Sequence, residues 1–371
     1  IGDYKIYALY KLGWSYSNIQ EYSKAIKAFR KTISLSRKSR SSRKIVFEKE
    51  AYQDLAVAYA QAGKYSEGQK YFLKVGSKRL LDQYRRTAAE IARGKGHYKV
   101  ARYFYGLILK ENPNDPSSRQ LALDNAEAVR LGKDRNAYAA ALKRLLKDYG
   151  AGSSWLRAQK LSKSEKQDIV SDNVRIVRKA AKDLHLRAQR ENRRSLYAYA
   201  DPIYKVYLQY VPKPNRDSAA NVHEMKFYYA ELLYDMGAYS RAALAYDQVG
   251  PGKYKAVSAY NKILAYKEAA KKDKKYSQNL FNATEEFVKN HPKDKRVGQL
   301  LYSSAAESYK AGSAGESLKT LRSIVQRFPD SKKGVDAAER ILFIHEKENS
   351  YQAAVKDLSL IHISEPTRRL N

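Results

Sequence analysis

The chain has 371 residues, 43% of them hydrophobic and 30% charged, and it contains no cysteine, which excludes disulfides, thiolate metal sites and a cysteine nucleophile. Lysine and arginine outnumber aspartate and glutamate by 71 to 39, and the resulting +32 favours acidic proteins, nucleic acid, anionic lipid or anionic polysaccharide as neighbours without choosing among them. No stretch approaches the roughly 18 consecutive apolar residues of a membrane span. Tyrosine is unusually frequent, 32 against 9 Phe and 2 Trp. A long apolar ring with one wet end suits half-buried positions.

In chain order, Leu9, Leu12, Gly13 and Tyr16 fall at i, i+3, i+4 and i+7, one stripe of a first helix. A polar turn follows, then a second helix with Ala25, Phe29 and Ile33 on one stripe. Leu55, Ala56 and Tyr59, then Gly63 and Tyr65, then Gly68 and Phe72 repeat the unit. Ala88, Ala89, Gly96, Tyr98, Ala101, Tyr105 and Pro113 make a third. Small residues at Gly13, Ala56 and Ala89 let two helices cross closely. Gly63 and Gly96 end first helices where a left-handed residue costs least, and Pro113 stops a second helix.

Gly132 with Ala137 and Ala141 marks a degenerate unit, and Ala200, Tyr204, Tyr207 and Pro212 read as the second helix of another. Tyr229, Ala230, Gly237, Tyr239, Ala242 and Tyr246 form a strong unit. Phe287 with Pro292, and Leu321 with Phe328–Pro329, close two more, and a last begins at Val335 and reaches Tyr351 and Ala354. The residues L-G-x-x-Y, then Y-x-x-A-x-x-x-F, resemble the tetratricopeptide repeat. The resemblance implies an all-α helix-hairpin solenoid, a right-handed superhelix of about seven to nine repeats. It specifies fold well and function poorly.

The expected organisation is a first sub-array over 1–149, an irregular loop and long charged helix over 150–194, and a second sub-array over 195–357. Ser36 to Lys44 reads as a basic, mobile connector. The run Leu358 to Arg368 looks like a translated sequencing-library adaptor, so 358–371 is expected to be non-native, with the natural chain cut near Asp357. Ile1 is not an initiator Met, so the chain reads as a fragment.

Catalysis has little to stand on. His97, His185, His223, His291 and His345 are dispersed, and neither H-E-x-x-H, a P-loop nor G-x-S-x-G occurs. No enzyme activity, metal or cofactor is expected. Binding is more plausible, because the resemblance implies that first helices line a concave groove. Tyr7, Tyr10 and Trp14 share the groove stripe of the first unit and would anchor a peptide or helix, unless a preceding repeat covers them. Arg86 and Arg93 would face the same groove, either gripping a carboxylate or bridging to Glu90 along their own helix. Phe227 and Tyr234 stand on the equivalent stripe near residue 230, with Glu224 and Glu231.

Arg37, Lys38, Arg40, Arg43 and Lys44 form an electrostatic patch that either meets an anionic polymer or solubilises the chain. Relatives that clamp the acidic C-terminus of chaperones use Lys and Asn where this chain holds Tyr10, Trp14 and Asp54, which argues against that role. Arg327-Phe328-Pro329-Asp330-Ser331 resembles the closing phrase of bacterial envelope tetratricopeptide proteins, namely outer-membrane assembly lipoproteins, Tol–Pal-associated factors and motility scaffolds. The expectation is a periplasmic or outer-membrane-associated scaffold for acidic or envelope-associated proteins. The alternative is a cytoplasmic basic solenoid that binds nucleic acid or ribonucleoprotein.

Overall fold

The structure, a computed structural model, describes residues 3–39, 44–211, 216–310 and 312–363. Among these residues every regular element is helical, and the helices pair with their neighbours in sequence. The first four hairpins are α1 (Asp3–Asn18) with α2 (Tyr22–Lys38), α3 (Lys44–Gln61) with α4 (Tyr65–Val75), α5 (Lys78–Gly94) with α6 (Tyr98–Glu111), and α7 (Ser118–Leu131) with α8 (Arg135–Asp148). The short α9 (Ser154–Ala158) precedes a fifth, α10 (Lys163–Arg190) with α11 (Arg194–Tyr210). The remaining four are α12 (Arg216–Asp235) with α13 (Tyr239–Asp247), α14 (Lys255–Lys272) with α15 (Ser277–Asn290), α16 (Arg296–Lys310) with α17 (Ala314–Arg327), and α18 (Lys332–Lys347) with α19 (Tyr351–Ile363). Nine hairpins result, the upper end of the expected range.

The turn between the two helices of a hairpin is built the same way almost throughout. In eight of the nine, the amide three residues past the first helix donates to a carbonyl five residues back, as Lys64 does to Tyr59 and His97 to Ala92. That closure needs one left-handed residue just before it. Gly63 and Gly96 supply it at φ of 71° and 77°. Gln20, Lys133, Asn192 and Asn349 adopt it with side chains, at φ between 46° and 62°.

Second helices carry a small residue four positions before a large ring, as in Ala25–Phe29, Gly68–Phe72, Ala101–Tyr105, Ala200–Tyr204, Ala242–Tyr246 and Ala283–Phe287, and all six rings are buried. Phe72 and Phe287 lie between their own first helix and the next, against Tyr52 and Tyr84 in one case and Tyr260 and Arg296 in the other. Phe72, for instance, stacks on Tyr84 of α5 with centroids 4.8 Å apart. The crossing is close at Gly13, where a Cβ would come within 2.6 Å of the Phe29 ring. Ala56 and Ala89 are likewise buried.

Two expectations change. The packing stripe of α1 runs through Ile6 and Gly13, with Leu9 and Tyr16 half-buried, while Leu12 is 43% exposed and stands outside it. The tyrosines are not confined to half-buried positions either. Tyr59, Tyr84, Tyr105, Tyr204 and Tyr207 are among the largest fully buried side chains. Tyr84 reaches the Tyr65 carbonyl at 2.5 Å, whereas the hydroxyls of Tyr59, Tyr105 and Tyr207 have no partner among the described atoms.

The chain forms two compact units, residues 1–225 and 226–371, the division falling within α12. In the first unit the irregular stretch after α8 is tied down. The Trp155 indole donates to the Asp115 carbonyl at 2.8 Å, Gln159 donates to the Asn114 carbonyl at 3.2 Å, and Ser153 caps α9. The long charged α10 is the first helix of a hairpin, and Asn173, fully buried, donates to the Leu145 and Tyr149 carbonyls at the end of α8. In the second unit Ala230, Leu233, Tyr246, Ile263 and Phe287 form one cluster, and Leu321, Ile324, Ala337 and Ile341 another.

Two glycines separate these packing effects. Gly13→Ala should destabilise by about 1–3 kcal/mol, because Phe29 is fully enclosed and cannot move aside. Gly106→Ala, in the middle of α6 with open space around its Cα, should stabilise by about 0.5–1 kcal/mol through helix propensity. Urea unfolding of both variants checks the pair, and effects of the same sign would contradict the packing described.

Candidate functional site

The burial of Ile6 and Gly13 against the second helix fixes which side of α1 faces outward. That side carries Tyr4, Tyr7, Lys11 and Trp14, with the three aromatics 90%, 46% and 51% exposed. The Lys11 ammonium stands 5.5 Å from the Tyr7 ring and 5.9 Å from the Trp14 ring. One cation thus spans two open rings, an arrangement suited to an apolar side chain flanked by a carboxylate or backbone carbonyls.

Tyr10 has a different role. It is half-buried between Phe29 and Phe47, at centroid distances of 6.0 and 6.1 Å, and it donates to Asp54 at 2.9 Å. Burial, reinforced by the Asp54 carboxylate, pushes its hydroxyl well above the ordinary tyrosine pKa. Tyr10 therefore joins the first hairpin to the second, and the expected three-ring anchor reduces to Tyr7 and Trp14.

The same correction applies along the other first helices. Arg86 donates to Ser117 at 2.9 Å and lies 4.0 Å from Asp115, and Arg93 lies 3.8 Å from Asp124. These two arginines of α5 thus meet acids at the following hairpin rather than Glu90 of their own helix. One hairpin further, Arg119 pairs with Asp172 and donates to Asn173 at 2.9 Å. Lys182 meets Glu224 at 3.2 Å, with Arg178 at 4.0 Å. In the second unit Glu231 accepts from Tyr246 and, at 2.9 Å, from Asn261.

Phe227 and Tyr234 also belong to packing. Phe227 stacks on Tyr254 at 4.7 Å, Tyr234 meets Tyr239 edge-on at 5.1 Å, and both pad the same buried cluster. In the expected basic connector, α2 continues through Lys38. Arg37 donates to Glu48 at 3.0 Å, and its guanidinium lies 5.8 Å from the Tyr52 ring. Lys38 is exposed; Arg40 and Arg43 lie outside the described residues, and Lys44 begins α3.

Among the described residues no group of three acidic or histidine side chains gathers to hold a metal. One constellation resembles a hydrolytic relay. Ser350 Oγ lies 2.7 Å from His345 Nδ1, and His345 Nε2 lies 2.7 Å from Asp357. Its surroundings make it a clamp. Asp357 is held by two nitrogens of Arg322, at 2.7 and 2.8 Å, and the His345 ring is only 2% exposed, so no carbonyl substrate fits beside it. Ser350 itself closes the last hairpin turn through its amide.

With the geometry in place, residues 7–39 match a family model described as tetratricopeptide repeat. The first hairpin matches that repeat. No curated protein matches the chain. Among solved structures, the p58(IPK) TPR domain is 15% identical over 98% of this chain and 94% of that one, with a TM-score of 0.23. Naa15/Naa10 bound to HypK-THB is 13% identical over 97% of this chain and 58% of that one, at 0.26. A circular tandem repeat protein of novel repeat topology is 12% identical over 96% and 88%, at 0.28.

The tetratricopeptide-like hairpins differ in how they are locked, and the last offers a pH test. Burial pushes the Asp357 carboxyl up, but the hydrogen bonds from Arg322 and His345 outweigh it and hold the group below the ordinary carboxylate range. A folded-state pKa below the unfolded value of about 3.9 gives stability that is complete above that value and lost as pH falls through the folded one. Asp357→Asn should therefore cost about 1–3 kcal/mol at neutral pH, and the gap to wild type should close as the pH is lowered. A gap that stays constant down to acid unfolding would show that the carboxylate is not the locking group.

Proposed function

We propose that the chain is a non-catalytic scaffold that holds other proteins, with the outward face of α1 as a principal anchor. The observation that carries this reading is the contrast along the first helices. Tyr10, Arg86, Arg93, Phe227 and Tyr234 are engaged within the array, whereas Trp14 is half exposed, and so is Tyr7 although its ring meets Phe47 of α3 at 5.9 Å, with Lys11 beside both. Tryptophan and tyrosine are enriched among the energetic centres of protein interfaces. An array of helix hairpins supports such a surface without moving, because each first helix is locked to the next.

The setting we propose is the bacterial cell envelope, periplasmic or outer-membrane-associated. Support comes from the resemblance of Arg327-Phe328-Pro329-Asp330-Ser331 to the closing phrase of envelope tetratricopeptide proteins. That phrase also has a structural task here, since Ser331 caps α18 and Arg327 donates to the Pro292 carbonyl at 3.0 Å. The natural partners are expected to be proteins, either acidic or themselves associated with the envelope.

Affinity pull-down with the intact chain as bait, followed by titration of a recovered partner, tests the anchor. Trp14→Ala together with Tyr7→Ala should weaken binding by about 2 kcal/mol or more, at low and high salt alike. Neutralising the exposed Lys38 and its neighbours should slow association at low salt and matter little at high salt. Affinity that ignores the aromatic pair and falls steeply with salt would favour the nucleic-acid reading.

A further inference from the structure

A second surface lies far from α1, between the tips of the fourth and fifth hairpins. A cavity of about 1010 Å³ opens there, bounded by the α7–α8 turn on one side and by α10 and the start of α11 on the other. Its walls are apolar, from Leu131, Ile176, Leu184 and Leu196, with the rings of Tyr138 and Tyr199 5.9 Å apart. Its lining carries six cations against two carboxylates, Asp134 and Asp183.

Part of that excess is matched nearby. Arg130 grips Glu127 with two nitrogens at 2.7 Å, Arg187 and Arg193 share Glu191, and Asp134 takes Arg102 while capping α8. Lys133, Arg135 and Lys179 are exposed and have no acidic partner among the described residues. These three cations rim a partly apolar recess, with Asp183 one helical turn from Lys179 in the same lining. Lys133 also belongs to its own hairpin turn. It sits in the left-handed turn position at φ 58°, where four of the other hairpins use glycine. Gln20, Asn192 and Asn349 fill the same position in three others, so the closure of the turn from Asp134 to Val129 accounts for the conformation of Lys133.

We propose that this cleft binds an acidic amphipathic peptide segment of a partner protein. Its carboxylates would meet Lys133, Arg135 and Lys179, and its apolar side chains would enter between Leu131, Ile176, Leu184 and Leu196. The volume, at the top of the roughly 300–1,000 Å³ of small-molecule sites, admits a few side chains of a peptide, and the exposed cations at its edge supply the charge complementarity for an acidic one. The chemistry disfavours single-stranded nucleic acid, which needs open aromatic faces for stacking. Tyr138 is 7% exposed, and the Tyr199 hydroxyl is enclosed without a partner. Burial accordingly raises the Tyr199 pKa. The proposal rests on the scaffold reading in that its ligand is protein, but it uses other hairpins and none of the α1 residues.

The test is selection of random peptides displayed on phage, using the intact wild-type chain, with counter-selection on Lys133→Ser/Arg135→Ser/Lys179→Ser. All three positions are on the surface, and circular dichroism melts establish that the variant folds. The expected survivors are acidic peptides with interleaved apolar residues. As synthetic peptides they should bind wild type at least ~10-fold more tightly than the triple variant, about 1.4 kcal/mol. Trp14→Ala should leave their affinity unchanged, so the α1 anchor and the cleft can fail separately. Survivors without acidic residues, or equal affinity for the triple variant, would overturn the proposal. Displacement of the peptides by an oligothymidylate that itself binds through the three cations would overturn it in favour of nucleic acid.

Discussion

No hairpin in this chain can cover both of its own faces. The second helix places a ring such as Phe29, Phe72 or Tyr105 where only the next first helix can finish enclosing it. Fully burying such a side chain contributes about 1.5–3 kcal/mol, so most of the apolar stabilisation is shared between neighbours. The small residue four positions earlier, and Gly13 on the facing helix, are what let the backbones approach closely enough. Turns, charge pairs and surfaces all follow from that shared burial.

The charge pattern follows the same neighbour-to-neighbour rule. Cations on one first helix find acids on the next, as Arg93 finds Asp124 and Lys182 finds Glu224. These pairs are partly exposed, so each adds little to stability, but they engage side chains of successive first helices with one another. The outward rings of α1 and the cations at the tips of α7–α8 and α10–α11 lie outside these pairs. The +32 of the whole chain is therefore not a uniform coat. It is neutralised where hairpins meet and uncompensated at particular edges.

The hairpins themselves were legible in the sequence. Small and aromatic residues at helical spacing located every hairpin, the degenerate one at Gly132, Ala137 and Ala141 included, and Gly63 and Gly96 marked their own turns. The turns at Lys133 and Asn192 were harder to see because residues with side chains occupy the left-handed position. Misread surfaces had a common cause. Tyr10 with Asp54, Arg86 with Asp115, and Phe227 with Tyr254 are contacts across 27 to 44 positions, and helical periodicity within one unit carries no trace of them. Comparing charges at the repeat spacing, which sets Arg93 against Asp124, would have found part of this ladder.

Tyrosine makes the account directly measurable, because 32 copies are spread over the whole chain. Nitration of the native protein, followed residue by residue in tryptic peptides by mass spectrometry, reads out which rings water reaches. Tyr4, Tyr7, Tyr103 and Tyr351, between 46% and 90% exposed, should be modified early, and Tyr59, Tyr84, Tyr105, Tyr204 and Tyr207 only on unfolding. Tyr10 should behave as a protected residue and become reactive when Asp54 is replaced by alanine. If Tyr84 and Tyr105 were nitrated as fast as Tyr4, the hairpins would not be sharing their buried faces, and the proposed scaffold would lose its physical basis.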